Sequence, residues 1–447
     1  MSFKQLLLAF SSLAIVTACS DDNDLVLPVP KTNIQVVHAS QDAPAVNILV
    51  NGENTIADLD FANASSRIEL DAATYSVQVD GITPEDDVAV IGPVDLDLAE
   101  DQLYTAVALN ETVSIEPVIL SQANATPPTG QLTLQVLHAA SNAPTVDVYL
   151  TAPGTDINTE SPTTTLAFKD NLSPTDIDAG DYQIRITPTG SKTVVYDSGT
   201  VTLPAGLLLN VLAVTNTGPG DNPVNLIATT PDGNLTLLDS ANSTDLRVFH
   251  LSPDAPAVDI IVNDGFATPL LSDVAFPNFS GFLTVPADTY NVKVVPTGTT
   301  TPVVIDADLT LEAATNYSVL AVNNLTNIEP LVISDQIRPI ATEAQLRIVH
   351  ASPTAGLVDL YLVAPATDIT SLEANFRGVD FKQDTGILSL AAGDYDVIVT
   401  PTGSKTPAIG PAAITLNAGG VYTIIARDNA GGGAPLNVVL ADDFVTQ

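Results

Sequence analysis

Residues 246–260 read LRVFHLSPDAPAVDI, and the same pattern stands at 34–48 (IQVVHASQDAPAVNI), 134–148 (LQVLHAASNAPTVDV) and 346–360 (LRIVHASPTAGLVDL). The four histidines of the 447-residue chain, His38, His138, His250 and His350, occupy one position in this motif. The chain is therefore built from repeats. In the 246–260 copy, alternation puts Leu246, Val248 and His250 on one strand face and Arg247 and Phe249 on the other, so the imidazole points with apolar side chains.

Working outward, each copy carries further period-two segments. YSVQVDG, YQIRITPTG, YNVKVVPTG and YDVIVTPTG start at Tyr75, Tyr182, Tyr290 and Tyr395. Three of them end in Pro-Thr-Gly, a turn signal because Pro fixes one φ and Gly admits a positive one. The first copy has Asp80-Gly81 instead. LYTAVAL, LLNVLAV, YSVLAV and YTIIAR follow, aligning Tyr104, Tyr317 and Tyr422 with Leu209, and an exchange of Tyr for Leu reads as packing. Then come SIEPVIL, NPVNLIA, IEPLVIS and APLNVVL. Roughly seven to nine short strands per copy, without helical periodicity, predict an all-β chain of four tandem antiparallel β-sandwich domains, Ig-like or transthyretin-like. The absence of Trp and of paired cysteines argues against an antibody-type core.

The expected domains are 31–121, 130–240, 244–337 and 343–447, joined by short linkers at Gln122–Gly130, Thr230–Thr244 and Asp335–Thr342. Short linkers between independent units predict an elongated rod. His38 and His250 are 212 residues apart, as are His138 and His350. The even copies share APGTDI or APATDI and TPTGSKT, so the order is ABAB, as if a two-domain unit had been duplicated, which predicts a preserved A–B interface and two semi-rigid pairs.

Ahead of the repeats, MSFKQLLLAFSSLAIVTACS places Lys4 before an apolar run, Leu6 to Val16, too short to span a bilayer. Small residues before the chain's single cysteine resemble a bacterial lipoprotein signal peptide, 1–18, cleaved before Cys19. The resemblance implies an acylated Cys19 inserted in a lipid bilayer, with 19–30 as tether, and Ser20 in place of Asp favours the outer membrane, facing periplasm or exterior. A net charge of −38 repels phosphate backbones and excludes nucleic acid as a partner.

The His motif is the only candidate chemical constellation. Asp147, Asp259 and Asp359 stand where they could orient the imidazoles, but the first copy has Asn47, which fits structure better than acid–base work. One His per domain makes a poor metal site, Ser252 and Ser352 lie too near their histidines in sequence to form a triad by that alone, and no GxSxG or phosphate loop occurs. No catalytic residue is therefore expected. No cofactor is expected: the acidic turns Thr83–Asp87, Asp170–Asp181 and Asp221–Asn225 lack the EF-hand order and read as plain acidic loops, with weak calcium binding as the alternative. Tyr75, Tyr182, Tyr290 and Tyr395 are expected to act like the tyrosine corner of sandwiches.

HxSPxAPxVD, AGxYxVxVxPTG, YxVxAV and a closing PLxxxD together resemble the bacterial domain of unknown function DUF4397, fullest at His250–Asp259 and Gly393–Gly403, in four copies. The resemblance implies an extracytoplasmic β-sandwich module with no catalytic residues to carry over. It departs at Asn47, Asp80-Gly81, Leu209 and Ala355-Gly356. The expected function is a non-enzymatic structural or adhesive surface rod with a protein or glycan partner. The competing reading is a lipoprotein that binds glycans or other envelope ligands.

Overall fold

The computed structural model describes residues 28–241 and 243–441. The expected signal peptide and Cys19 lie outside the described residues. Apart from four single-turn 3-10 segments, every regular element is a strand.

The first unit shows the plan. Its strands are β1 (Lys31–Ala39), β2 (Val46–Val50), β3 (Glu53–Leu59), β4 (Ile68–Asp71), β5 (Thr74–Gly81), β6 (Val88–Asp97), β7 (Gln102–Leu109) and β8 (Glu116–Ala123). They form two sheets, ordered β4-β1-β7-β8 and β3-β2-β5-β6. Val36 from one sheet meets Ile48, Val79 and Ile91 from the other, so the two inner faces share a core. The other three His segments open sheet pairs of the same order, and the second unit adds a fifth strand, Gly233–Leu237. That strand lies inside the stretch expected to be a linker. Likewise Asn171–Asp178, within an expected acidic turn, is a strand paired with Gln131–His138.

The sandwich is not purely antiparallel. β1 and β7 run parallel, from Asn33 opposite Leu103 to Ala39 opposite Leu109. The chain leaves β1 through the His turn, enters the second sheet, and re-enters the first beside β1 in the same direction. The same parallel pairing sets His138 opposite Ala213, His250 opposite Ala321 and His350 opposite Ala426. His38 likewise faces Ala108. A methyl side chain at each of these positions leaves room for the ring.

The His strands are buried on both faces, the pattern of a central strand covered on two sides. One face serves its own sandwich, and the other packs on the neighbouring unit. Val37, Ala39, Val107 and Leu109 of the first unit share a cluster with Leu137, Ala139, Leu212 and Val214 of the second. Phe249, Leu251, Leu320 and Val322 of the third do the same with Val349, Ala351 and Ile425 of the fourth. The expected rod of independent units is therefore corrected: units pair side by side through their His-bearing sheets. The pairs also touch, since Arg338, between the third and fourth units, donates to the carbonyls of Ala43 (2.7 Å) and Gln41 (3.3 Å) in the first and pairs with Asp60 at 2.6 Å.

Candidate functional site

Each imidazole sits at the end of its strand and is at most 1 % exposed. Nε2 lies 2.9 Å from the Pro44 carbonyl in the first unit, and 3.1, 2.9 and 2.8 Å from the carbonyls of Pro144, Pro256 and Gly356 in the others. A carbonyl only accepts, so Nε2 carries the proton and Nδ1 is free to accept. It does so from the N–H of Ser40, Ser252 and Ser352. Each ring also meets a phenylalanine edge-on, Phe61, Phe168, Phe276 or Phe381, with centroids 6.3–6.4 Å apart. Burial pushes the His38 imidazole down to about 4, against the pull of the Pro44 carbonyl, and pushes His138 and His250 the same way. In His38, His250 and His350 both nitrogens are bonded within the turn and so close it, whereas Nδ1 of His138 is buried without a partner.

The aspartates do not orient these rings. Asp259 accepts from the N–H of Asp273 and of Gly298, the Gly of Pro-Thr-Gly, both at 2.9 Å. Asp359 accepts from Gly378 and Gly403 at the same distance, and Asp147 from Gly190 at 2.8 Å. The Gly298 and Asp273 bonds hold the Asp259 carboxyl below the usual range. The first unit lacks both the Asp and the Pro-Thr-Gly turn. There Asn47 accepts from the Asp58 N–H and donates to Asp87. The aspartate and the turn thus occur together, because one is the acceptor for the other.

The hydroxyls of Tyr75, Tyr182, Tyr290 and Tyr395 donate to the carbonyls of Asp71, Asp178, Pro286 and Ala391, each four residues upstream. Tyr104, Tyr317 and Tyr422 do more than pack: their hydroxyls accept the N–H of Ala99, Glu312 and Asn417. Leu209 fills the corresponding place in the second unit, buried and without that bond.

Two features escaped sequence reasoning. The first is a polar seam between paired units, made by residues that alternation alone would assign to a solvated face. In the first pair it is neutral: Gln35 donates to the carbonyls of Ser65, Thr230 and Gly233, and Asn210 donates to Thr105 at 2.7 Å. In the second pair the same places are charged. Arg247 donates to Ser318 at 2.8 Å and lies 3.7 Å from Asp335, which also binds Arg347 at 3.1 Å.

The second is a set of apolar cavities. In the first unit a cavity of about 190 Å³ lies between the two sheets, lined among others by Val36, Ile48, Tyr75, Ile91, Leu96 and Ile119. The third unit repeats it at about 150 Å³ with Val248, Ile260, Tyr290, Ile305, Leu309 and Val332, residue for residue at the same alignment positions. The exposed Asp95 and Asp308 stand at matching places in the two linings. In the second unit the place of Ile91 and Ile305 is taken by Tyr196, fully buried, its hydroxyl bonded to the Leu237 carbonyl. The second unit nevertheless keeps a cavity of about 240 Å³, lined at matching positions by Val136, Val148, Ile186, Val211 and Ala213 and reaching Leu166, Leu172 and Thr175.

Among the described residues no group of three or more His, Cys, Asp or Glu stands where it could hold a metal ion, and no helix is long and apolar enough to cross a membrane. Of the acidic turns, Asp87 bonds Asn47, Asp176 accepts from Thr133, and Asp178 accepts from Gln131.

No curated protein matches the chain. Among solved structures it is similar to the Bacillus anthracis TIE protein (10 % identity, 89 % of this chain and 68 % of that one, TM-score 0.16). It is also similar to the multi-modular glycogen-degrading pneumococcal virulence factor SpuA (9 %, 60 % and 37 %, 0.14) and the pilus adhesin SpaC from Lactobacillus rhamnosus GG (14 %, 69 % and 40 %, 0.13). It spans about two fifths of the latter two. The description "Domain of unknown function (DUF4397)" matches two regions, 32–149 and 244–361. Each covers an odd-numbered unit and continues through the His segment of the next. With more than half of its length matched, the chain belongs to the DUF4397 family.

Proposed function

We propose that this chain is a non-enzymatic, lipid-anchored protein of the bacterial cell envelope whose four DUF4397-like units form a rigid body that binds an envelope ligand. The observation that carries the reading is the repeated cavity: the first three units each keep an apolar space between their sheets at matching positions, where protein interiors are normally close-packed. The histidines, aspartates and tyrosines of the motif serve the turns around it, and calcium has no part. Acylated Cys19 supplies the anchor, and a net charge of −38 keeps the body off anionic headgroups.

A ligand binder is favoured over an adhesive rod because the units pack side by side rather than end to end. The test is to isolate the mature protein from envelopes and identify what travels with it by native mass spectrometry, alongside attachment assays on a deletion strain. The expected result is a bound envelope molecule and unchanged attachment. A bare protein that retains nothing from lipid or glycan extracts, with attachment lost on deletion, would establish the adhesive rod instead.

A further inference from the structure

We infer that the cleft between the first and second units binds a carboxylate, with Arg67 as its cation. The carboxylate is carried by a small organic acid or by the last residue of a peptide. The site is separate from the inter-sheet cavities and does not depend on what they hold.

The cleft has a volume of about 250 Å³. Arg67 reaches it from the first unit, Thr126 and Pro127 from the connection, and Leu208, Thr229 and Pro231 from the second unit. Thr126, Pro231 and the neighbouring Gly206 are exposed and form the rim, while Thr229 is 1 % exposed at the floor, so the space opens to solvent between the two units.

Arg67 is held in place without being neutralised. Its backbone N–H donates to the Pro231 carbonyl at 2.8 Å and its Nη2 to the Leu208 carbonyl at 2.6 Å, which fixes the guanidinium against the second unit. Nε is buried without a partner, and Nη1 is neither bonded to a described residue nor buried. The chain carries 52 acidic side chains, yet none lines this cleft. Burial pushes the guanidinium below its usual range with no carboxylate to offset it, whereas Asp60 offsets it for Arg338. A half-buried cation without a counter-charge gains from an incoming anion, and a planar guanidinium fork fits a carboxylate.

The surroundings select the kind of anion. One cation matches one negative charge, and a net charge of −38 disfavours a phosphate dianion. Pro127, Leu208 and Pro231 offer an apolar wall to a short carbon body. The third unit limits the count. Ile34 stands opposite Ile68 there as Leu246 stands opposite Leu283 in the third unit, so Phe282 holds the place of Arg67. Phe282 lies under the Arg247 guanidinium, so the second pair uses this position in its own seam. One site per chain is expected.

The test uses residues 19–447 carrying Cys19→Ser, which keeps the chain out of detergent, at low ionic strength. Propionate and propionamide are titrated by saturation-transfer difference NMR, with inorganic phosphate as competitor. Propionate should occupy one site at least about tenfold more tightly than propionamide, and phosphate should displace it only weakly. Arg67→Gln should abolish the preference, and Arg67→Lys, which keeps the charge without the fork, should retain part of it. N-acetylalanylalanine separates the two sources: binding tighter than propionate assigns the site to peptide ends, and weaker binding assigns it to small acids. Should Arg67→Gln fail to fold, Thr126→Trp at the exposed rim decides, because a bulky ring there closes the mouth and lowers propionate affinity. Equal binding of propionate and propionamide, displacement by phosphate below the propionate Kd, or an undiminished preference in folded Arg67→Gln or Thr126→Trp would overturn the inference. The first of these, with a lowered melting temperature of Arg67→Gln, would show that Arg67 only ties the two units together.

Discussion

The Arg247 guanidinium, fully buried, lies 3.7 Å from the Asp335 carboxylate, at positions where the other pair of units holds Gln35 and Gln122. Arg347, Ser318 and Thr423 complete the charged seam where Gln135, Thr105 and Asn210 complete the neutral one. The duplicated pairs thus share apolar packing but differ in the polar groups at the centre of the interface. A mixed pair would bury an arginine against an amide, so the seam discriminates the correct neighbour.

Asp335→Asn removes the carboxylate that buried Arg247 and Arg347 share, leaving Arg347 with Asp384 at 3.7 Å. We expect it to lower the stability of the third and fourth units by about 3–5 kcal/mol in urea unfolding. Recasting the whole set in the neutral pattern, Arg247→Gln, Arg347→Gln and Asp335→Gln, should restore most of that loss. A triple variant no more stable than Asp335→Asn would show that the charge set has no neutral equivalent here.

His38 governs a pH dependence. Burial holds its imidazole at about 4 in the fold, whereas an unfolded histidine titrates near 6.5. Between those values the unfolded chain binds the extra proton, so stability is fully present above about 6.5 and falls as the pH drops towards 4. His38 alone should contribute a loss of about 3 kcal/mol over that window. Protonation at Nδ1 also breaks the bond from Ser40 N–H. His38→Gln should be less stable at pH 7 and show a shallower slope of melting temperature against pH. An unchanged slope would refute this role.

For the aspartates the expected loss lies in the turns. Asp359→Ala removes the acceptor for two backbone N–H groups, Gly378 and Gly403, and should cost about 1–3 kcal/mol, with faster amide exchange at Gly403. Asn47→Asp in the first unit should gain nothing. No Pro-Thr-Gly N–H awaits a carboxylate there, and the new charge would face Asp87, now 2.9 Å from Asn47. A stabilised Asn47→Asp variant would contradict the coupling between aspartate and turn.

These residues also show how far the sequence could be read. Alternation places His250 with Leu246 and Val248, and the ABAB spacing anticipates units that work in pairs, because both are local patterns repeated four times. The parallel β1–β7 pairing was not legible, since strand order depends on contacts 70 residues apart, such as Asn33 with Leu103. The fate of Asp259 was hidden for a similar reason: its nearness to His250 in sequence pointed to the ring, while its acceptor geometry is satisfied by Gly298, 39 residues on. Alternation puts Arg247 on the face opposite His250, where a polar residue is ordinarily solvated, and only the neighbouring unit covers it and Gln35. Nothing in the sequence sets Ile91 and Ile305 apart, and the space they line emerges only from the packing of the two sheets.

Arg338 is the clasp between the two pairs. Its Nη1 reaches the carbonyls of Ala43 and Gln41, its Nη2 reaches Asp60, and its carbon stem carries the guanidinium over the Phe61 ring at 5.4 Å. Phe61 is the same ring that packs on His38. The clasp therefore ties the 3–4 junction to the His turn of the first unit. Arg338→Ala should remove charge-assisted bonds worth about 2–4 kcal/mol together and uncouple the pairs. The wild-type chain should then unfold in one calorimetric transition and the variant in two, with new protease cleavage at residues 335–342. A variant that still melts as one unit and resists cleavage would mean that the other contacts between the pairs hold them together without the clasp.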